Sequence, residues 1–316
     1  MPDQVIIEVR ANEWKYRDKN NLHWNKHVPY TPDEIVADAV ACEKAGASIL
    51  HFHAREADGK ESADPGLYAD TVRKCKAQTN LVLMPTNLPT TGDLPTVKTF
   101  DDRVRPIRAI SEYPGTTPHL GPIDLVTCNL GIFDSASKTF VNTQKIYQNT
   151  IEDWEAFARV YEEAEMKTVA FLWNITSVGA LERLVERGIV KPPVWCELVV
   201  AQDGHWYGHP ATLRGLDAFL DFFPKYSGWN WTVLASWTSL FTPEVSTAGV
   251  DPKRTFAHAV LERGGNLSIG LGDYHYREGD YEPTNAQLVA RAVRVAAEVG
   301  RKPAAPAETR ALLRLT

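Results

Sequence analysis

Residues 31–55 read TPDEIVADAVACEKAGASILHFHAR, and this stretch decides the fold class. Its first four residues have the Thr-x-x-Glu form of a capping box with proline at the first helical position, so they predict the start of a helix. After a short connection at 44–47, the apolar run 48–53 predicts a buried strand. A helix that leads directly into a buried strand is typical of repeating β/α units. The stretch therefore predicts an α/β protein.

The same alternation of strand and helix continues along the whole chain. Eight apolar, β-branched runs predict strands at 5–9, 48–53, 81–84, 125–129, 168–173, 194–200, 229–235 and 267–271. Each run is followed by a helical pattern, and Thr150 and Thr284 begin two of the clearest ones. Eight units of about 40 residues predict a (β/α)8 TIM barrel, formed as one domain by residues 1–316. The alternative is an open doubly wound sheet, but no glycine-rich fingerprint follows the first strand.

The lengths of the connections predict where the functional site lies. Helix-to-strand connections are short, at 44–47, 186–190 and 263–266, whereas strand-to-helix loops are long, at 11–30, 85–95, 134–149, 202–210 and 236–252. In these barrels the strand-to-helix loops build the active site. Four tryptophans also lie on the loop side of the predicted barrel. Packing or a contact in an oligomer is favoured for them over an aromatic cage that binds a cationic substrate. They are Trp14, Trp24, Trp206 and Trp237.

Composition excludes several classes of partner. The 316 residues contain 34 Lys and Arg against 40 Asp and Glu, which gives a formal net charge of −6 and argues against nucleic acid as a partner. No apolar run approaches the ~18 residues of a membrane span, and the first residues lack the features of a signal peptide. The four scattered cysteines form no C-x-x-C pair. We therefore expect a cytoplasmic protein with no membrane partner.

The strand at 48–53 carries two histidines that could bind a metal. Because side chains alternate along a strand, His51 and His53 lie on one face. Two neutral imidazoles at the loop end of a barrel strand form half of a site for a divalent metal such as zinc. Two histidines satisfied by ordinary hydrogen bonds are the alternative. Closure of the barrel would bring Glu13, Asp273 and His275 onto the same arc of the rim.

Several segments resemble the β-keto acid cleavage enzymes, whose best-known member is 3-keto-5-aminohexanoate cleavage enzyme. They are 31–34, 45–47, 51–55, 125–131, 284–291 and 299–303, and the similarity covers nearly the whole chain. The resemblance implies a (β/α)8 barrel, often a homotetramer, with zinc at the loop-side mouth. It implies an acyltransferase that converts a β-keto acid and acetyl-CoA into acetoacetate and a new CoA ester.

The resemblance also assigns roles to residues. His51 and His53 would bind zinc, and Asp273 would be the base that removes an α-proton from the keto acid. The residues expected to contact the substrate are Glu13, Arg55, Thr127 and Asn129. For Asp273, the alternative is a role as the cap of a helix or turn in the segment 270–273.

The chain departs from the family pattern on its last strand. Gly272 stands where the resemblance implies the glutamate that would be the third zinc ligand. Ser268 stands where it implies the arginine partner of the aspartate. We therefore expect a replacement ligand, His275 first, then Asp273 or Glu13. The loops after strands six and seven also differ from the family. Two alternatives stay open: a metal-dependent aldol-type lyase or hydrolase that uses no CoA, and a barrel that binds a ligand without catalysis.

Overall fold

A computed structural model gives the structure, and it describes residues 3–13, 17–21, 24–88, 97, 99–202, 204–205, 207–224, 228–246 and 249–315. Parallel strands form the centre of this part of the chain. They are β1 (Ile7–Arg10), β2 (Ile49–Phe52), β3 (Val82–Pro85), β4 (Leu120–Asp124), β5 (Lys167–Leu172), β6 (Trp195–Ala201), β7 (Asn230–Ser236) and β8 (Asn266–Ile269). Helices alternate with these strands along the sequence, as the pattern of the chain predicts.

The helices follow the strands in order. They are α1 (Pro32–Ala45), α2 (Pro65–Gln78), α3 (Phe100–Glu112), α4 (Ile151–Glu163), α5 (Ile175–Glu186), α6 (Leu213–Phe222), α7 (Phe256–Glu262), α8 (Asn285–Glu298) and α9 (Pro306–Leu313). The starts predicted at Thr31, Thr150 and Thr284 are confirmed, because each threonine side chain accepts a hydrogen bond from the amide three residues later. None of the described helices is long and apolar enough to cross a membrane.

The strands close almost completely into a barrel. They follow the order β3-β2-β1-β8-β7-β6-β5-β4, and neighbours within this order are parallel. The two ends meet where the amide of His119, directly before β4, donates to the carbonyl of Leu83 over 3.0 Å. The predicted (β/α)8 barrel is thereby confirmed, and the open sheet is excluded.

The position predicted for the fourth strand was wrong. The prediction chose 125–129, whereas β4 spans Leu120–Asp124 and Cys128–Asn129 pairs instead with Ile146–Tyr147. Strand β4 contains Gly121 and Pro122, two residues that strands normally disfavour. Proline lacks an amide to donate, which is tolerated here because β4 lies at the seam of the barrel. The other predicted runs overlap their strands.

The barrel interior changes from apolar to polar toward the loop side. Apolar residues such as Ile49, Trp195 and Leu234 form one cluster inside the barrel, and a second cluster lies between strands and helices. Above the inner cluster, alternation on β1 turns Glu8 and Arg10 inward, and both are buried. Buried charges are costly unless they are paired, so two charged residues in this layer of the barrel indicate a functional site.

The long loops add small hairpins to the barrel. Ile132–Asp134 pairs with Thr139–Val141 after β4, and Pro243–Ser246 pairs with Gly249–Thr255 after β7. On the opposite side, Gln4–Val5 pairs with Lys302–Pro303 below the first strand. The elaboration therefore lies mainly at the carboxyl ends of the strands, as the loop lengths predict.

Candidate active site

A cavity opens at the carboxyl ends of the barrel strands. One part of its wall comes from β1, β2 and the loop after β8, and it carries charged and imidazole groups: Arg10, Glu13, His51, His53 and Asp273. The other part comes from β4 to β7 and from their loops. It is largely aromatic and is built by Tyr147, Phe171, Trp173, Tyr207 and Trp237. The cavity is therefore divided into a polar side and an aromatic side.

Three side chains on the polar side, Glu13, His51 and His53, form what we call the His–His–Glu group. One potential ligand atom from each residue lies within 4.8 Å of those of the other two. His51 and His53 alternate on β2 as predicted, with ring centroids 5.3 Å apart. Within the described residues, this is the group of donors that suits a divalent metal. Two imidazoles and one carboxylate form a ligand set that catalytic zinc sites use.

Asn12 brings Glu13 to the two histidines. The side chain of Asn12 accepts the amide of His53 over 2.9 Å and donates to the carbonyl of His53 over 3.0 Å. It also donates to the carbonyl of Pro29. This reciprocal pairing fixes the loop after β1 against the end of β2, so the neighbouring Glu13 is held beside the imidazoles.

Glu61 orients His53 from outside the group. Its Oε1 lies 2.7 Å from Nδ1 of His53, a contact that leaves Nε2 facing the group. Metal-binding histidines commonly donate their second nitrogen to a carboxylate in this way, which fixes the tautomer and the ring orientation. The structure thus supplies a supporting residue as well as the three potential ligands.

The imidazole of His51 is held in the state that a metal ligand requires. Burial lowers the pKa of His51 well below its usual value, and the charges of Arg10 and His53 act in the same direction. Three imidazole nitrogens, both of His51 and Nε2 of His53, make no hydrogen bond of normal geometry with any described residue. Buried nitrogens without partners cost free energy, and coordination of a cation would satisfy them. The donor set therefore fits a divalent metal.

Arg10 occupies the centre of the polar side. Its Nε donates to Oδ1 of Asp273 over 2.9 Å, and a short contact joins its Nη2 to Glu13. Its Nη1 lies 3.5 Å from carboxylate oxygens of Glu8 and Glu197. Burial alone would lower the pKa of Arg10, but the four carboxylates raise it well above the usual value. One guanidinium thus organises the base candidate, a potential metal ligand and two deeper carboxyls.

The two deeper carboxyls, on β1 and β6, favour a proton. Burial raises the pKa of Glu8, although Arg10 opposes this. Burial raises the pKa of Glu197 still further, and the charge of Glu8 adds to it. Four ionised carboxylates around a single arginine would be costly in the barrel interior, so a proton retained by this pair reduces the excess negative charge.

The resemblance implies an arginine and a glutamate on the last strand, and in this chain the first strand and its loop carry one residue of each type. Ser268 stands where the family pattern has an arginine, and its hydroxyl donates to Glu8. Gly272 stands where the pattern has a glutamate, and a Cβ there would lie 2.8 Å from the amide of Glu13. Arg10 and Glu13 supply one guanidinium and one carboxylate from the neighbouring strand and its loop. Asp273 therefore has a guanidinium partner, although Ser268 occupies the position where the resemblance implies an arginine.

Other residues singled out in the sequence do not line the cavity. Arg55 uses its guanidinium to bind the carbonyls of Asn12 and Gly59, so it braces the loops beside the His–His–Glu group. Thr127 exchanges hydrogen bonds with the backbone of Asn149, and Asn129 is exposed on a short strand.

His275 and Trp24 lie apart from the cavity, and two further tryptophans fall outside the described residues. His275 accepts the amide of Arg277 and packs on Tyr274, so it does not join the group of potential ligands. Trp237 lines the cavity, and Trp24 lies under the guanidinium of Arg277 instead. Trp14 and Trp206 fall outside the described residues.

Sequence reasoning missed five charged residues of the site: Glu8, Arg10, Glu61, Asp124 and Glu197. Three of them had a visible signal. Arg10 follows Glu8 with the period of a strand inside an otherwise apolar run, and Glu197 interrupts the apolar run 194–200. A charge in the middle of a buried strand is rare and indicates a partner across the barrel. The contacts of Glu61 and Asp124 depend on loop geometry and had no comparable signal.

Comparisons with known protein sequences match the chain to one family. A sequence model of the family described as beta-keto acid cleavage enzyme matches residues 5–315. A 3-keto-5-aminohexanoate cleavage enzyme of Acetoanaerobium sticklandii is 27% identical over 291 residues, which cover 92% of each chain. A 3-dehydrocarnitine:acetyl-CoA trimethylamine transferase of Rhizobium meliloti is also 27% identical, over 92% of this chain and 91% of the relative.

Solved structures show a similar fold at low sequence identity. ObcA in its apo form aligns with a TM-score of 0.65 at 13% identity, over 92% of this chain and 66% of that one. The chain thus spans about two thirds of the length of ObcA. A 3-dehydroquinate dehydratase of Enterococcus faecalis aligns with a TM-score of 0.53 at 11% identity, over 93% of this chain and 94% of that one. These two likenesses support the barrel fold.

Proposed function

The chain belongs to the beta-keto acid cleavage enzyme family, and from this premise we propose that it transfers an acyl group from a β-keto acid to CoA. The co-substrate is acetyl-CoA, and the products are acetoacetate and the CoA ester of the remaining acyl group. Two relatives named as acetyl-CoA-dependent transferases support this choice of co-substrate. The observation that carries the proposal is the placement of Asp273 and Arg10 beside the His–His–Glu group in one cavity.

We further propose that Glu13, His51 and His53 bind a divalent metal, zinc by the chemistry of the donors. Such an ion, when bound, supplies Lewis-acid polarisation of a substrate carbonyl. The support is the set of buried imidazole nitrogens without hydrogen-bond partners, together with the carboxylate held beside them. Glu13 takes the role for which the sequence favoured His275.

Asp273 is proposed as the general base. Its carboxylate removes a proton from the carbon between the keto and carboxylate groups, and the resulting enolate attacks the thioester carbonyl of acetyl-CoA. The CoA thiolate leaves and then attacks the original keto carbon, which breaks the carbon–carbon bond. The released acetoacetate enolate takes back one proton, so atoms and charges balance. The guanidinium of Arg10 keeps the carboxylate of Asp273 oriented while the proton moves.

The proposal is tested with a panel of β-keto acids offered with and without acetyl-CoA. We expect acetoacetate and a new CoA ester, in equal amounts and only when both substrates are present, measured by mass spectrometry. Cleavage without acetyl-CoA would favour an aldol-type lyase or hydrolase, and release of free thiol would indicate thioester hydrolysis. Binding without any cleavage across the panel would favour a non-catalytic barrel.

The assembly and location of the protein belong to the same proposal. We propose a homotetramer, which rests on the resemblance to the family, in the cytoplasm and without nucleic-acid or membrane partners. Light scattering coupled to gel filtration would show a mass four times that of the 35.3 kDa chain. A monomeric mass would contradict this assembly and leave the catalytic proposal standing.

A further inference from the structure

The aromatic side of the cavity contains four rings that we call the aromatic box: Tyr147, Trp173, Tyr207 and Trp237. The ring centroids of Trp173 lie 5.6 Å from Tyr147 and 5.4 Å from Tyr207. His205 continues this wall, because its ring lies 5.4 Å from Tyr207 and stacks on Trp237 at 5.9 Å. The box rises from the ends of β4 to β7, across the cavity from the His–His–Glu group.

The polar atoms of three of these rings are already engaged. The hydroxyl of Tyr147 donates to Oδ2 of Asp124 over 2.5 Å, and Nε1 of Trp173 donates to Oδ1 over 2.8 Å. The hydroxyl of Tyr207 lies 3.1 Å from that of Ser236. With these atoms engaged, the box offers a ligand mainly aromatic surface rather than hydrogen bonds.

Asp124 places a carboxylate at the base of the box. Burial raises the pKa of Asp124; the two ring donors and the charge of Arg103 oppose this, and the charge of Glu13 adds to it. Arg103 itself is held by the carbonyl of Leu88 and by the side chain of Asn149. A buried carboxylate among rings gains most from a cation that enters the cavity.

Trp237 links the box to the reaction side. Its backbone has φ near 60°, a left-handed conformation that bulky residues rarely adopt. Its amide donates to the carbonyl of Asp273 over 3.1 Å, so the loop after β7 carries a box residue and also contacts the proposed base on the loop after β8. Strain of this kind persists where the surrounding structure imposes it, and it concentrates at ligand sites.

We propose that the aromatic box and Asp124 bind an alkylated ammonium group at the end of the substrate remote from the His–His–Glu group. This inference rests on the proposed function and names its substrate class: β-keto acids that carry a quaternary or highly alkylated ammonium group. Such a group forms few hydrogen bonds and binds through aromatic surface and negative charge, which are what this side of the cavity provides.

The test compares two probes that differ only in charge. The cationic probe is 4-trimethylammoniobutanoate, and the neutral probe is its carbon isostere 5,5-dimethylhexanoate, whose tert-butyl end has no charge. Both keep the carboxylate, and both are titrated calorimetrically into the full chain loaded with zinc. Neither can undergo cleavage, so binding is measured apart from catalysis. We expect the cation to bind about tenfold more tightly, the scale of one desolvated cation–π contact. Asp124→Asn and Trp173→Leu should each remove most of this preference and leave the affinity for the neutral probe nearly unchanged.

Equal affinities, or tighter binding of the neutral probe, would overturn the inference. Loss of affinity for both probes in Asp124→Asn would also contradict it, because that result indicates a structural role for the carboxylate. Turnover of uncharged β-keto acids with no charge preference would retain the proposed function and reject the box. A strong charge preference without acetoacetate formation would retain the box and reject the proposed function.

Discussion

The Nε of Arg10 lies 2.9 Å from Oδ1 of Asp273, although 263 positions separate the two residues in the chain. Strand β1 provides the arginine, and the loop after β8 provides the aspartate. These strands are neighbours because the sheet closes, with Leu267 beside Ile7 and Ile269 beside Val9. The contact connects the proposed base to the arginine that also holds Glu13, so the two halves of the polar side form one unit.

Asp273→Asn should lower kcat by at least about 100-fold, because an amide cannot accept the α-proton. The amide oxygen can still accept the hydrogen bond from Arg10, so the unfolding midpoint should change little. Steady-state assays measure the effect, and Asp58→Asn, at an exposed aspartate, serves as the matched control. Loss of bound metal in Asp273→Asn would instead make this residue a ligand.

Elemental analysis should find one zinc per chain, and Glu13→Gln and His53→Ala should each lose it after dialysis. Glu61→Gln removes the carboxylate that orients His53, so zinc affinity should fall about 10- to 100-fold while the ligands remain. His275→Ala is the control and should retain the metal. Retention of zinc in Glu13→Gln together with loss in His275→Ala would reverse the assignment of the third ligand.

Gly121→Ala should destabilise the protein by about 1–3 kcal/mol, the usual cost of overpacking a core. The added Cβ would lie 2.5 Å from the ring of Tyr161, which packs against β4 and donates to the carbonyl of Pro122. Gly179→Ala is the matched control, because nothing lies within 4 Å of its Cβ on α5. Alanine there should stabilise the helix by about 0.5–1 kcal/mol. Denaturant titration of both variants measures the difference, and equal midpoints would contradict this packing.

Stability should decrease as the pH falls from about 6.5 toward 4. Burial and the charges of Arg310 and Lys76 lower the pKa of His119 from 6.5 to about 4, so the unfolded chain binds a proton that the folded chain excludes. The effect should reach about 2 kcal/mol after allowance for partial exposure. Protonation would also break the hydrogen bond from the Leu83 amide to Nδ1 of His119 at the seam.

Urea unfolding across this pH range measures how steeply the free energy of unfolding depends on pH. His119→Asn keeps an acceptor without the titration and should flatten this dependence, whereas an unchanged slope would assign the effect to other groups.

Local patterns predicted much of this architecture. The helix starts at Thr31, Thr150 and Thr284 are confirmed, because the hydrogen bonds that begin a helix involve residues only three apart. The histidine pair is likewise local, since alternation on one strand fixes its common face. The fourth strand could not be found in this way. Gly121 and Pro122 are poor strand residues in general, and only packing against Tyr161 and a position at the seam make them suitable.

The sequence by itself determined the barrel, the side that carries the site and the two histidines, because these depend on periodicity and loop length. Only the tertiary structure decided which carboxylate joins the histidines. Glu13 lies there because Asn12 fixes its loop to His53 and because Gly272 leaves it room. The choice among Glu13, Asp273 and His275 depends on distances between separate loops, and closure of the barrel sets these distances rather than any local pattern.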